Sequence, residues 1–165
     1  AAAAELSIEI ICPSHGLIWR ENIPAIINAY KNWSTNTVNE KKAVIVYDTM
    51  WESTAKIAQK LKKDFDNQKF ETKIFDLKKI HISDIMTDII DAKYICVGSP
   101  TLNNNIMPTV AAFLTYMKGL KPKERIGRAF GSYGWSGESI DQIENMLKEC
   151  QFEILEQIKV NYIPD

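Results

Sequence analysis

The sequence has no C-x-x-C pair and no even set of cysteines: its three, Cys12, Cys96 and Cys150, are widely spaced. That pattern argues against a disulfide framework or a cysteine zinc site. Cys96 lies in an apolar run and reads as a buried small hydrophobe. No apolar run reaches the ~20 residues that a membrane-spanning helix needs, so no membrane partner is expected. The Ala1–Ala4 start lacks the basic region and hydrophobic core of a secretory signal. With the unpaired cysteines, this points to a reducing, cytoplasmic location. A formal net charge of -1 gives no electrostatic case for nucleic acid or an anionic membrane surface. There is no internal repeat. The only low-complexity tract is the four opening alanines, which read as an artefact. The nucleotide signature G-x-x-x-x-G-K-[ST] is also absent.

What remains is a chain of 165 residues, 45% hydrophobic and 25% charged, with enough length for one core and some extra. From Ala43 onward, strand and helix patterns alternate. Ala43–Tyr47 is a short β-branched run, Phe70–Leu77 a partly alternating one, and Tyr94–Gly98 a third. Arg125–Gly131 and Glu153–Val160 predict a fourth and a fifth strand. Between them, helices are expected at Ser53–Phe65, at Ser83–Asp91 with Ser83 as N-cap, from Pro108 to about Gly119, and at Ser139–Cys150. This order predicts an α/β fold: a doubly wound, five-stranded parallel sheet with helices on both faces, for which right-handed crossovers leave few topologies open. Its last helix is expected to be missing, because the chain stops at Ile163-Pro164-Asp165. Residues 1–40 stand outside the alternation. They offer a strand-like run at Leu6–Cys12, a Pro13-Ser14-His15-Gly16 corner and a helix at about Ile23–Trp33. The polar stretch Ser34–Lys42 then reads as a linker.

In an open α/β sheet, ligands bind beyond the carboxyl ends of the strands, where the strand order reverses. Three loops leave those ends with unusual composition. Asp48-Thr49-Met50-Trp51-Glu52-Ser53-Thr54 opens a helix with three hydroxyls and no lysine or arginine. It suits a monophosphate held by neutral donors, or it is a plain Ser/Thr cap. Ser99-Pro100-Thr101-Leu102-Asn103-Asn104-Asn105 can wrap a ring edge bearing carbonyls and N–H groups, or it is a β-turn cluster. Gly131-Ser132-Tyr133-Gly134-Trp135-Ser136-Gly137-Glu138 combines three glycines, for close backbone approach, with two flat side chains. Those aromatics, with Trp51, stack on a planar ligand or pack against a partner subunit. Phosphate, ring edge and ring face are thus served from one rim, and FMN meets all three demands.

Tyr47-Asp48-Thr49-Met50-Trp51-Glu52-Ser53-Thr54, with Ser99-Pro100-Thr101-Leu102-Asn103 and Gly131-Ser132-Tyr133-Gly134-Trp135-Ser136-Gly137, resembles the flavodoxin-like domain of the flavodiiron proteins. The resemblance implies a flavodoxin-like sheet of strand order 2-1-3-4-5. Glu52 stands where ordinary flavodoxins more often carry the glycine of T-x-T-G-x-T. The resemblance implies FMN contacts from Thr49, Met50, Trp51, Glu52, Ser53 and Thr54. It implies further contacts from Ser99, Pro100, Thr101, Leu102, Asn103 and Asn104, and from Ser132, Tyr133, Gly134, Trp135 and Gly137. Ile11-Cys12-Pro13-Ser14-His15-Gly16 resembles the stretch bearing the last histidine of the family's metallo-β-lactamase-like di-iron domain. By that match His15 is an iron ligand, residues 1–40 are that domain's C-terminal remnant and linker, and residues 41–165 are the flavodoxin-like domain.

The implied function is electron relay. A donor such as rubredoxin reduces the flavin, which feeds a di-iron centre reducing dioxygen to water or nitric oxide to nitrous oxide. The family forms head-to-tail homodimers, and a homodimer is the expectation here. By itself the chain is expected only to transfer electrons, since a lone histidine makes no metal site. Asp48, Glu52, Glu138 and Asp141 lie near the rim and would lower the flavin's potential if they faced it. Two rivals stand: a self-sufficient flavodoxin carrier, and a non-redox receiver module. The receiver wants an aspartate at the end of the third strand, which instead ends Gly98-Ser99-Pro100.

Overall fold

The computed structural model describes residues 7–164. The opening alanines, Leu6 and Asp165 therefore lie outside the described residues. The chain divides into two compact units, Ala1–Thr37 and Val38–Asp165.

In the first unit, the helix α1 (Ile23–Ser34) forms where the sequence predicts it. Pro24 stands in its first turn, where a missing N–H costs nothing. The strand expected over Leu6–Cys12 does not form among the described residues. Only Ile11 bridges, antiparallel, to Trp19, with paired backbone bonds of 3.0 and 2.9 Å. Among the described residues of this unit, 7–12 have no further strand beside them to pair with, and unpaired backbone cannot hold an extended ladder. The bridge closes the Pro13–Gly16 corner into a loop that leaves His15 exposed.

The second unit alternates β1 (Asn39–Tyr47), α2 (Ser53–Asn67), β2 (Glu71–Asp76), α3 (Ile82–Ile89), β3 (Ala92–Gly98) and α4 (Pro108–Leu120). It continues with β4 (Ile126–Tyr133), α5 (Glu138–Glu149), β5 (Glu153–Ile154) and β6 (Ile158–Asn161). The sheet is parallel, as the alternation predicts, and its order is β2-β1-β3-β4-β5, as the resemblance implies. Side chains of β1 alternate between two cores. Val44 and Val46 meet α3, α4 and α5 with Ile95, Val97, Phe113 and Ile140. Ile45 and Tyr47 meet α2 with Ala58, Leu61, Cys96 and Phe130. Burial pushes the Cys96 thiol up to about 12, so it is an inert core residue, as expected.

Four details differ from the expectation. The fifth strand is two pieces: β5 and β6 both pair with β4, and Leu155–Gln157 breaks the ladder between them. Gly127–Phe130 faces Ile154–Ile158, a stretch one residue longer, which makes this a bulge on an edge strand. Second, Asn39–Lys42 is not linker but the start of β1. Lys42 is 7% exposed and bonds the carboxylates of Asp88 and Asp91 at 3.0 and 2.7 Å, which is what lets a charge enter the sheet. Third, α3 is capped by His81, not Ser83: the His81 imidazole accepts the Ser83 N–H at 3.3 Å. Fourth, β4 runs on to Tyr133, so Ser132 and Tyr133 are strand residues with backbone partners in β6.

Candidate functional site

The carboxyl ends of β1, β3 and β4 rise to one rim because the order 2-1-3-4 places these strands side by side. Backbone bonds stitch the rim together. Asp48 N–H donates to the Gly98 carbonyl at 3.2 Å, Ser99 N–H to Phe130 at 3.1 Å, and Thr101 N–H to Ser132 at 3.2 Å. Above them lies a cavity of about 470 Å³, within the ~300–1,000 Å³ of ordinary small-molecule sites. Thr49, Met50, Trp51 and Ser53 line it from the first loop, and Pro100 and Thr101 from the second. Ser132, Tyr133 and Gly134 complete it from the end of β4.

The first loop is built to receive an anion. Glu52 adopts a left-handed backbone (φ 63°) and hands the chain into α2 with no side chain capping the helix. The first-turn N–H groups, which have no partner within a helix, therefore open beside the cavity wall at Ser53. The Thr49 hydroxyl is buried and bonds nothing. A buried polar atom without a partner is costly unless a ligand or water satisfies it. No lysine or arginine lines the cavity. Trp51 and Trp135 are 86% and 96% exposed, so the indoles stand in solvent beside a largely apolar hollow.

Several residues singled out from the sequence have structural partners. Thr54 is fully buried and shares a hydrogen bond of 3.1 Å with the Ser132 hydroxyl. Ser99 is fully buried: its hydroxyl donates to the Pro100 carbonyl at 2.7 Å and accepts the Met107 N–H at 2.9 Å. Leu102, Asn103 and Asn104 form a tight turn closed by reciprocal Leu102–Asn105 bonds of 2.9 Å. Asn103 and Asn104 both take the left-handed conformation. This turn is tied to α5, where Gln142 donates to the Asn104 carbonyl at 3.0 Å. Leu102, Asn103, Asn104, Glu52, Trp135 and Gly137 stand outside the cavity wall. Of the three glycines expected to admit a ligand, Gly134 lines the cavity, while Gly131 lets two backbone segments close up: a Cβ there would stand 2.0 Å from the Ser99 carbonyl oxygen.

Tyr162 and Ile163 also line the cavity, and the sequence reading missed them. They follow β6, and the Tyr162 N–H donates to the Tyr133 carbonyl at 2.8 Å. An aromatic residue just past an edge strand that ends at the same rim was the available signal. Lys78 was missed as well. It arrives from the loop after β2, lies 3.4 Å from Asp48 and donates to the Thr49 carbonyl.

The rim carboxylates are largely spoken for. Asp48 is 1% exposed and engaged by Lys78. Asp141 pairs with Lys159 at 2.6 Å, and that bond holds its pKa below the usual carboxylate range. A hydrogen bond from the Ser136 hydroxyl lowers Glu138 in the same way. Among the described residues, no three His, Cys, Asp or Glu side chains gather to hold a metal, and no helix is long and apolar enough to cross a membrane.

The Flavodoxin family model matches residues 45–165. A nitric oxide reductase of Moorella thermoacetica is 43% identical over 91% of this chain, which spans 37% of that protein. The solved rubredoxin oxygen:oxidoreductase of Desulfovibrio gigas is 40% identical, with a TM-score of 0.90 over 99% of this chain and 41% of that one. The flavodiiron protein of Giardia intestinalis is 29% identical, with a TM-score of 0.91 over 99% of this chain and 41% of that one. The chain spans between 37% and 42% of the length of three curated relatives it matches.

Proposed function

The chain belongs to the flavodoxin family through residues 45–165, and from that membership we propose that its rim cavity holds FMN and passes electrons onward. The observation that carries this reading is the unpartnered Thr49 hydroxyl, buried beside an uncapped helix start in a cavity without cations. Thr49, Ser53 and the first N–H groups of α2 hold the phosphate by neutral donors. Pro100 and Thr101 flank the ring edge, and the 102–105 turn, braced by Gln142, stands behind them. Tyr133, Trp135 and Trp51 cover the ring faces and shield them from water. When bound, FMN supplies electron storage and release, which none of these side chains can provide.

The likeness to a nitric oxide reductase and to a rubredoxin oxygen:oxidoreductase supports a larger reading. In it, residues 41–165 are the flavin domain of a flavodiiron oxygen or nitric oxide reductase, and residues 1–40 end a metallo-β-lactamase-like di-iron domain. His15, exposed in its corner, joins the iron ligands supplied by that domain. Rubredoxin or a similar protein is the electron donor, and the whole protein works as a head-to-tail homodimer. The three free cysteines support a reducing, cytoplasmic setting.

Titration of the flavin-free chain with FMN tests the central claim. Saturable one-to-one binding with quenching of flavin fluorescence is expected, and Thr49→Val lowers the affinity for FMN. A chain that takes up no FMN overturns the reading.

A further inference from the structure

We infer that Asp48 and Lys78 act as a charge-compensated pair that positions the first loop of the cavity, and that Lys78 is what permits an anion to bind there. The inference rests on the assignment of that loop to a phosphate group. Asp48 opens the loop, directly after β1, and is 1% exposed. A buried carboxylate at that place is at odds with a site for a phosphate unless its charge is answered. Three groups answer it. The Thr49 N–H donates to it at 2.6 Å, the Thr109 hydroxyl donates to its other oxygen, and the Lys78 ammonium lies 3.4 Å away.

These partners come from three elements. Thr49 follows β1, Lys78 follows β2, and Thr109 sits in the first turn of α4. Lys78 is itself held in place. Its backbone N–H donates to the Asp76 side chain at 3.0 Å, and its ammonium also donates to the Thr49 carbonyl. The neighbouring Lys79 is drawn to Asp76 at 3.4 Å and is not the residue that meets Asp48. Both ends of the Thr49 peptide environment are therefore fixed: its N–H by Asp48 and its carbonyl by Lys78. The Thr49 hydroxyl is left unpartnered at the cavity wall. Neither Asp48 nor Lys78 lines the cavity, so both are positioning residues that act through Thr49.

The pair is tested by comparing FMN with riboflavin, which has the ring but no phosphate, in the same chain. Lys78→Met is expected to weaken FMN by ~10-fold while riboflavin changes by less than ~3-fold, because an uncompensated Asp48 repels only the charged ligand. Raising the salt concentration narrows the FMN deficit. Lys78→Arg keeps the charge and restores FMN binding. Asp48→Asn shifts the balance the other way, and the ratio of FMN to riboflavin affinity rises. Equal losses of both ligands in Lys78→Met, or no loss of either, overturn the inference. Should Lys78→Met fail to fold, Asp48→Asn decides alone: a falling FMN-to-riboflavin ratio overturns it. Failure of the unaltered chain to bind FMN would instead overturn the phosphate assignment beneath it.

Discussion

Gly131 and Ser99 touch so closely that no side chain fits between them: a Cβ on Gly131 would lie 2.0 Å from the Ser99 carbonyl oxygen and 3.1 Å from Ile140. The first of these neighbours is backbone, so it can give way only if β4 or the loop after β3 moves. That loop carries Pro100 and Thr101 into the cavity wall. Gly131→Ala is expected to cost ~1–3 kcal/mol, the range for overpacked sites, and to weaken FMN binding. Gly134→Ala is the control for stability, since its added methyl group would meet nothing closer than the Tyr162 ring at 3.7 Å. Urea unfolding and FMN titration of both variants check this, and equal stability of the two would contradict it.

The buried hydroxyl pair of Thr54 and Ser132 joins α2 to β4 across the cavity floor at 3.1 Å. Thr54→Val keeps the shape and removes the bond, leaving the Ser132 hydroxyl without its partner. The expected loss is ~1–3 kcal/mol. Replacing both, by Thr54→Val with Ser132→Ala, costs less than the sum of the single losses. A double-mutant cycle in urea measures the coupling, and strict additivity would show that the two hydroxyls do not bond.

Lys42 carries the clearest pH signature. Burial works against its charge, but bonds to Asp91 and Asp88 outweigh it and hold its pKa above the ordinary 10.5. A raised lysine pKa stabilises the fold fully below the ordinary value, and that stability is lost as pH climbs through the raised one. Asp91 is half exposed, at 46%, so Lys42→Met is expected to cost roughly 2 kcal/mol near neutral pH, below the ~3–5 of fully buried pairs. The gap between the native chain and the variant narrows above pH ~10.5. A gap that stays constant from pH 7 to 11.5 would show that the charge is not its source.

The legibility of the sequence tracks how local each signal is. The strands at Ala43–Tyr47 and Tyr94–Gly98 were readable because a run buried on both faces needs apolar residues at every position. The first four residues of β1 were not, because what makes Lys42 tolerable is a pair of carboxylates far along the chain at Asp88 and Asp91. The cavity was readable as three loops because each follows a strand of one sheet. Four of the six residues from Thr49 to Thr54 do line it. The hydroxyls of Thr54 and Ser99 bond neighbours within the protein. Composition alone cannot tell a donor offered to a ligand from one spent on a neighbour. Lys78, Thr109 and Gln142 came into view only with the strand order and helix packing, which bring β2, α4 and α5 to the same rim.

The break between β5 and β6 has a consequence of parity. Ile154 and Ile158 are an even number of residues apart, so an unbroken strand would turn both toward the same layer. Instead Ile154 packs with the helices α3 to α5, while Ile158 and Val160 pack with α2. The extra residue inverts the strand halfway along, so one short edge segment feeds both cores and still delivers Tyr162 to the cavity. Losing one residue between Leu155 and Gln157 would remove the bulge and leave Ile158 and Val160 facing α2, whereas losing two would turn Lys159 and Asn161 toward that core instead.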